Sequence, residues 1–287
     1  MLFVYGAFKC IAISADLLYK YLFKMDEEFI EELAKNPRFI AGIYNYCDRW
    51  CERCIFTSRC MNYALSEQQF NDPESRDINN KTFWNKLDEI LSITLEMVRE
   101  KAKEMGIDID SINYETTAEE NERIHKTTKE QPYSLAAMEY IRMIDNWLKS
   151  NEENFETKAD ELASLAEACI PGTCPYKEVV NINDCFDVIG WYKHQIYVKL
   201  CRAASGIIRS ETENIDYIQE DADGSAKIAI IGIERSIAAW SSLLEYLPEQ
   251  GHDIFYLLII LKRLLSIVEA AFPNARAFVR PGFDTLD

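Results

Sequence analysis

The sequence predicts an all-α fold, a multi-helix bundle with a short cysteine-rich metal-binding segment near its N-terminus. Three observations support this prediction. Glycine and proline are scarce, at 10 and 8 of 287 residues. Apolar residues recur at spacings of three and four in nearly every long segment, which is the period of a helix, and no convincing strand pattern is found. Four of the nine cysteines fall within fourteen residues.

The helices follow from the apolar spacing and from local start and stop signals. The clearest is an amphipathic helix over 82–105, where Phe83, Leu87, Leu91, Leu95 and Val98 form one stripe and a glycine follows as a stop signal. Polar stretches at 66–81, which we interpret as a loop, and at 115–131 separate the helical segments. Helices are predicted over 26–46, 82–105, 132–149, 154–168, 184–209, 225–247 and 254–272.

The organisation of the chain follows from its breaks. Pro171, Gly172 and Pro175 interrupt the helical pattern and mark the best internal boundary. We therefore expect an N-terminal extension over 1–25, a helical region over 26–170 that carries the cysteine cluster, and a three-helix apolar core over 176–272. The core should pack with the preceding region as one domain. The two prolines and one glycine of 273–287 predict an extended tail on the surface.

Charge and cysteine content restrict the class of function. The 48 acidic and 31 basic residues give a formal charge of -17, which repels nucleic acid and anionic membranes. An odd number of cysteines favours reduced thiols and hence a cytoplasmic location. The apolar start at 1–23 is interrupted by Lys9, Asp16 and Lys20, which is atypical of a signal peptide or membrane span. We therefore expect no interaction with a membrane. The expected binding partner is a redox protein or another protein whose identity is unknown.

The cysteine cluster comprises Cys47, Cys51, Cys54 and Cys60. Spacings of four and three place the first three on one face if the segment is helical, and Cys60 returns from the following turn or loop. Four thiolates suit tetrahedral zinc or a cubane cluster. Structural zinc sites usually combine two separated cysteine pairs, whereas this chain has one tight run, so a [4Fe-4S] cluster is the first prediction and zinc the alternative.

Two spacings within the cluster resemble known cluster loops. The run C-x2-C-x5-C from Cys51 to Cys60 is similar to the cluster loop of the endonuclease III family of DNA glycosylases. That likeness covers ten residues, the family's helix-hairpin-helix signature is absent, and no function is carried over. The run C-x3-C-x2-C from Cys47 to Cys54 resembles the radical S-adenosylmethionine signature, which implies one open iron. Arg53 replaces the usual aromatic residue there, no βα alternation is found, and Cys60 is available to close the open iron.

Other candidate sites are weaker. Glu234 and Arg235 interrupt an apolar helix, so at least one should be paired or face a cavity, and His194 is expected in the core. Two E-x2-H pairs have the spacing that di-iron bundles use, but we expect both pairs at the surface. The remaining cysteines are expected to pack in the core or at helix ends. These pairs and cysteines are Glu122 with His125, Glu249 with His252, and Cys10, Cys169, Cys174, Cys185 and Cys201.

Three functions remain open from the sequence. The first is an iron-sulfur protein with an electron-transfer, redox-sensing or structural role. The second is a zinc-stabilised helical interaction protein without catalysis. The third is a redox enzyme, radical S-adenosylmethionine-like or otherwise, whose cluster serves a second site among His194, Glu234 and the late helices.

Overall fold

The computed structural model describes residues 27–109, 114–170, 172–213 and 216–284. These residues form ten α-helices and no strand, so the predicted all-α class is confirmed for them. No helix in these ranges is long and apolar enough to cross a membrane. The helices belong to two compact units, of which the first is Met1–Ala41 with Phe56–Ile112 and the second is Gly42–Ile55 with Asn113–Asp287. The predicted extension over 1–25 lies outside the described residues.

The first unit contains four helices: α1 Glu27–Lys35, α2 Met61–Gln69, α3 Pro73–Arg76 and α4 Lys81–Glu104. The helix predicted over 26–46 is wrong beyond Lys35. Proline lacks a backbone N–H and disfavours a helical residue before it, so Asn36 and Pro37 end α1 and turns follow. The loop predicted over 66–81 instead contains the end of α2 and all of α3.

Helix α4 confirms the prediction over 82–105 to within one residue at each end. It begins at a cap, because the Asn80 side chain accepts a hydrogen bond from the backbone N–H of Thr82 at 2.9 Å. It ends at Glu104, and two residues later Gly106 takes a positive φ of 71°. Glycine adopts that left-handed conformation without the steric cost that other residues meet.

The second unit contains six helices: α5 Tyr114–Lys129, α6 Pro132–Ser150, α7 Glu152–Ala168, α8 Pro175–Glu213, α9 Asp216–Tyr246 and α10 Gly251–Ala271. The last five match predicted helices, although α8 and α9 begin earlier than their apolar patterns do. Helix α5 was not predicted, because its segment is polar and lacks an apolar stripe.

The core of this unit is built around an antiparallel hairpin of α8 and α9. Arg202 near the end of α8 pairs with Asp221 near the start of α9, and Tyr192 further back on α8 meets Arg235 further along α9. Helices α6 and α10 pack on the hairpin. The buried Trp240 indole donates to the Tyr140 hydroxyl at 2.9 Å, so both polar groups are satisfied inside an apolar core.

The chain after α10 also packs on the hairpin. A short 3-10 helix spans Ala275–Ala277, and Ala275 is fully buried. The Phe278 ring lies 4.6 Å from the ring of Tyr46. The described part of the expected extended tail therefore includes a helical turn and a buried residue, while the division of the chain at 171–175 stays a prediction.

Candidate metal centre

Three of the four clustered cysteines lie on a segment that we call the strap, residues 42–55. The strap contains no α-helix, and its regular structure is one 3-10 turn at Cys51–Arg53. It runs along the α8–α9 hairpin. From Asp48 to Arg53 its contacts move toward the start of α8, from Gln195 to Asp184. The shared face expected for Cys47, Cys51 and Cys54 in a helix therefore does not apply to this segment.

Asp48 is the central anchor of the strap. Its carboxylate accepts hydrogen bonds from the Tyr192 hydroxyl at 2.5 Å and from the Arg235 guanidinium at 2.7 Å. Its backbone carbonyl accepts from the Trp191 indole at 2.9 Å and from the Gln195 amide at 2.8 Å. Four side chains on two helices thus hold one strap residue, which fixes the backbone on both sides of it.

The same network explains the charge inside the apolar helix α9. The expectation that Glu234 or Arg235 is paired is confirmed for both, since Arg235 binds Asp48 and Glu234 binds Arg276. Burial, and then the hydrogen bond with Asp48, raise the pKa of Tyr192, so its hydroxyl remains a proton donor at neutral pH. Asp48 was not identified as an anchor from the sequence. The only sequence signal for it was the charged Arg235 within the apolar helix α9, which requires a partner.

Tyr46 anchors the strap on the side of Cys47 away from Asp48. Its hydroxyl donates to Asp221 at 3.0 Å, and Arg202 bonds to the same carboxylate. Its ring crosses α9 at Gly224, where a Cβ atom would lie 2.6 Å from Tyr46 Cδ1 and 2.8 Å from Phe278 Cζ. A side chain larger than hydrogen at position 224 therefore conflicts with this crossing.

Trp50 and Arg53 anchor the far half of the strap. The Trp50 ring stacks on Trp191 with centroids 5.1 Å apart. The Arg53 guanidinium lies over Trp50, 4.0 Å from the ring centroid, and forms ion pairs with Asp184 at 2.5 Å and Asp187 at 2.9 Å. Stacking with paired carboxylates suits the flat guanidinium of arginine better than the ammonium of lysine.

Cys47 and Cys51 lie between these anchors in the sequence, and Cys54 directly follows Arg53. All four clustered cysteines are half-buried, and none of the eight described cysteines is in a disulfide. The Cys47 thiol donates to the Tyr44 carbonyl at 3.6 Å. Burial raises the pKa of the Cys47 thiol, and Arg49 opposes that rise. Cys60 belongs to the first unit, where it has an extended backbone directly before α2.

Basic groups lie around Cys47. Lys199 on α8 is 8% exposed, and burial lowers the pKa of its ammonium, with Arg202 and Arg49 acting in the same direction. Arg49 has a positive φ of 60°, a conformation that costs free energy for a residue with a Cβ. The Asp48 and Asp221 carboxylates act against these cations, so the positive charge beside the Cys47 thiol is partly balanced.

The fit of these residues to a metal centre is mixed. The donor chemistry fits, because four reduced thiols suit zinc and iron-sulfur clusters. The arrangement does not, because in the described ranges no three His, Cys, Asp or Glu side chains are grouped to hold a metal ion. Binding at the strap therefore requires its thiols to move together, as metal sites that form on loading do.

The other candidate residues do not join this centre. His194, expected in the core, is exposed, because its position on α8 faces away from the buried neighbours Tyr192 and Ile196. The residues of the two E-x2-H pairs are all exposed. Cys185 is buried as expected, Cys201 is half-buried, and the exposed Cys169 and Cys174 lie between α7 and α8. Cys10 lies outside the described residues.

Comparison with known proteins gives no relative to set beside this geometry. No family model, curated protein or solved structure matches the chain.

Proposed function

We propose that Cys47, Cys51, Cys54 and Cys60 bind a [4Fe-4S] cluster, in an electron-transfer, redox-sensing or structural role. The observation that carries the proposal is that the strap is held by residues other than its cysteines. Its anchors Tyr46, Asp48, Trp50 and Arg53 all bond or stack to α8 or α9, while its three cysteines are half-buried and form no disulfide. Cysteines that serve only packing are usually buried, as Cys185 is at 7% exposed.

The charge around the strap supports an iron-sulfur cluster. A cubane with four thiolate ligands carries net negative charge, and nearby cations stabilise it and raise its reduction potential. Lys199 and Arg49 both interact electrostatically with Cys47. A radical S-adenosylmethionine enzyme is a weaker proposal. Those enzymes resemble one another in a repeated strand–helix barrel, whereas the described fold is all-α.

The test is anaerobic purification followed by iron, sulfide and zinc analysis and a visible spectrum. Wild type is compared with Cys51→Ser and Cys54→Ser, and Cys174→Ser is the matched control because it removes an exposed thiol outside the strap. The proposal predicts about four irons and about four sulfides per chain. The brown colour is lost in the two strap variants and retained in the control.

The other outcomes are equally informative. One zinc per chain without colour would replace the cluster by the zinc-stabilised interaction protein. A wild-type chain that takes up neither metal after reconstitution with iron and sulfide or with zinc would reject the metal centre. Equal metal loss in Cys174→Ser and Cys54→Ser would mean that the strap is not the binding segment.

A further inference from the structure

Helix α4 presents an apolar stripe to solvent. The helix has 24 residues, which at 1.5 Å per residue is about 36 Å in length, and none of its side chains is buried. Trp84, Leu91, Leu95 and Val98 are 52, 59, 49 and 52% exposed. The stripe predicted from the sequence is thus present on the helix, but its Leu91, Leu95 and Val98 are at the surface.

The spacing of the stripe is that of a helix–helix seam. Trp84, Leu91, Val98 and Met105 are seven residues apart, and Leu95 lies four residues after Leu91 on the same face. A seven-residue apolar repeat of this kind packs against a second helix in coiled coils. Helix α10 offers a comparison, since its Leu257, Leu261, Leu264 and Val268 recur at similar spacing and are 0–2% exposed.

The charges on α4 indicate what covers the stripe. The helix carries five basic and five acidic residues, so it is neutral within a chain whose net charge is -17. The basic residues are Lys81, Lys86, Arg99, Lys101 and Lys103, and the acidic residues are Asp88, Glu89, Glu96, Glu100 and Glu104. A second copy of this helix therefore meets no net repulsion at the seam, whereas most of this protein's surface would repel its own copy.

The order of the charges selects the direction of pairing. At 100° per residue, Asp88 and Arg99 lie on the same edge of the stripe, 60° and 80° from Leu91, and both are exposed. In an antiparallel pair with its two-fold axis between Leu91 and Leu95, each Asp88 faces the Arg99 of the other copy. A parallel pair places like positions level with each other and forms neither contact.

We propose that α4 is the self-association surface of this protein and pairs antiparallel with α4 of a second copy. The apolar stripe is buried in the seam, and two Asp88–Arg99 ion pairs border it. The interface is isologous, as two-fold dimers require, because each copy contributes the same surface. This proposal is independent of the metal centre, since it uses none of the four clustered cysteines.

The test is light scattering and sedimentation velocity on the full chain over a concentration series. Wild type should have twice the monomer mass of 33.3 kDa at tens of micromolar. The Leu91→Glu, Leu95→Glu double variant should be monomeric, with at least a tenfold weaker dimerisation constant. Val180→Glu is the matched control, because Val180 is an apolar residue of α8 that is 64% exposed, and it should leave the dimer intact. Circular dichroism checks that all variants remain folded.

A charge exchange tests the direction. Asp88→Lys should weaken the dimer, because it places two cations together, and adding Arg99→Asp should restore it. A monomeric wild type at these concentrations would overturn the proposal and assign the stripe to the same chain or to another protein. A dimer that survives Leu91→Glu with Leu95→Glu would place the interface elsewhere. Failure of Arg99→Asp to restore Asp88→Lys would overturn the antiparallel arrangement.

Discussion

Two segments without an α-helix of their own lie on the second unit's helices, and they are held in different ways. The strap bonds through Asp48 to Tyr192 on α8 and Arg235 on α9, 144 and 187 residues away in sequence. The segment after α10 bonds through Asp284 to Arg280 within the same segment and to Lys227 on α9. The strap therefore depends on distant partners, whereas the C-terminal segment is partly fixed by its own residues.

The difference shows what positions the cysteines. A segment held by partners on two helices keeps its shape only while those helices are packed together. The conformation of the strap therefore depends on the packing of α8 against α9. The two segments meet where the rings of Tyr46 and Phe278 cross α9 at Gly224. Four substitutions separate the contributions of the two segments to the free energy of unfolding. They are at Asp48, Gly224, Asp284 and Arg53.

The largest effect is expected for Asp48→Ala. It leaves the buried Tyr192 hydroxyl without its charged acceptor, whereas Arg235 is 53% exposed and adds little, so a loss of about 2–3 kcal/mol in the free energy of unfolding is expected. Urea denaturation measures it. Asp284→Ala is the comparison, with a smaller expected loss, and equal losses would contradict the greater dependence of the strap on distant partners. Under the proposed function, Asp48→Ala also lowers iron content although it removes no cysteine.

A pair of matched glycine substitutions tests the crossing at α9. Gly224→Ala should destabilise by about 1–3 kcal/mol, because its Cβ conflicts with both Tyr46 and Phe278. Gly190→Ala in α8 adds the same methyl group where nothing lies within 4 Å, and it should stabilise by about 0.5–1 kcal/mol through helix propensity. Thermal unfolding of both variants distinguishes the two signs. A stabilised Gly224→Ala variant would mean that the rings move aside without cost.

The sequence predicts this fold well where helices are amphipathic and poorly where distant contacts decide. The apolar spacing of α6 and of α8–α10 can be recognised within each segment alone. The structure confirms these helices, since their apolar residues form the core. Helix α5 was missed because a polar helix has no stripe to detect. The strap could not be predicted from periodicity, since its path is set by partners such as Asp184, which lies 131 residues from Arg53. The cysteine spacing identified candidate ligands, whereas their positions depend on those partners.

A pH titration separates the C-terminal segment from the strap. Hydrogen bonds from Arg280 and Lys227 hold the pKa of Asp284 well below its usual value. A carboxylate with a lowered pKa in the folded protein stabilises it above the unfolded pKa of about 3.9, and this contribution is lost as pH falls through the lower, folded value. Wild type should therefore exceed Asp284→Asn by about 1 kcal/mol near pH 5, and the difference should shrink progressively as pH falls from about 3.9 toward 2. A constant difference across that range in urea denaturation would reject this assignment.

The smallest effect is expected for Arg53→Lys, which keeps the positive charge but removes the flat guanidinium. The pairs with Asp184 and Asp187 are more than one third exposed on both sides, so solvent screens them and they contribute little. Stacking on Trp50 is the part that lysine reproduces poorly, and a loss of about 0.5–1 kcal/mol is expected. Arg53→Met removes both the guanidinium and the charge and keeps an unbranched side chain, so its difference from Arg53→Lys isolates the effect of the charge. If urea denaturation gives Arg53→Lys the stability of wild type and Arg53→Met a clear loss, charge and not stacking holds this end of the strap. If both variants lose the same amount, the stacked guanidinium is the anchor next to Cys54.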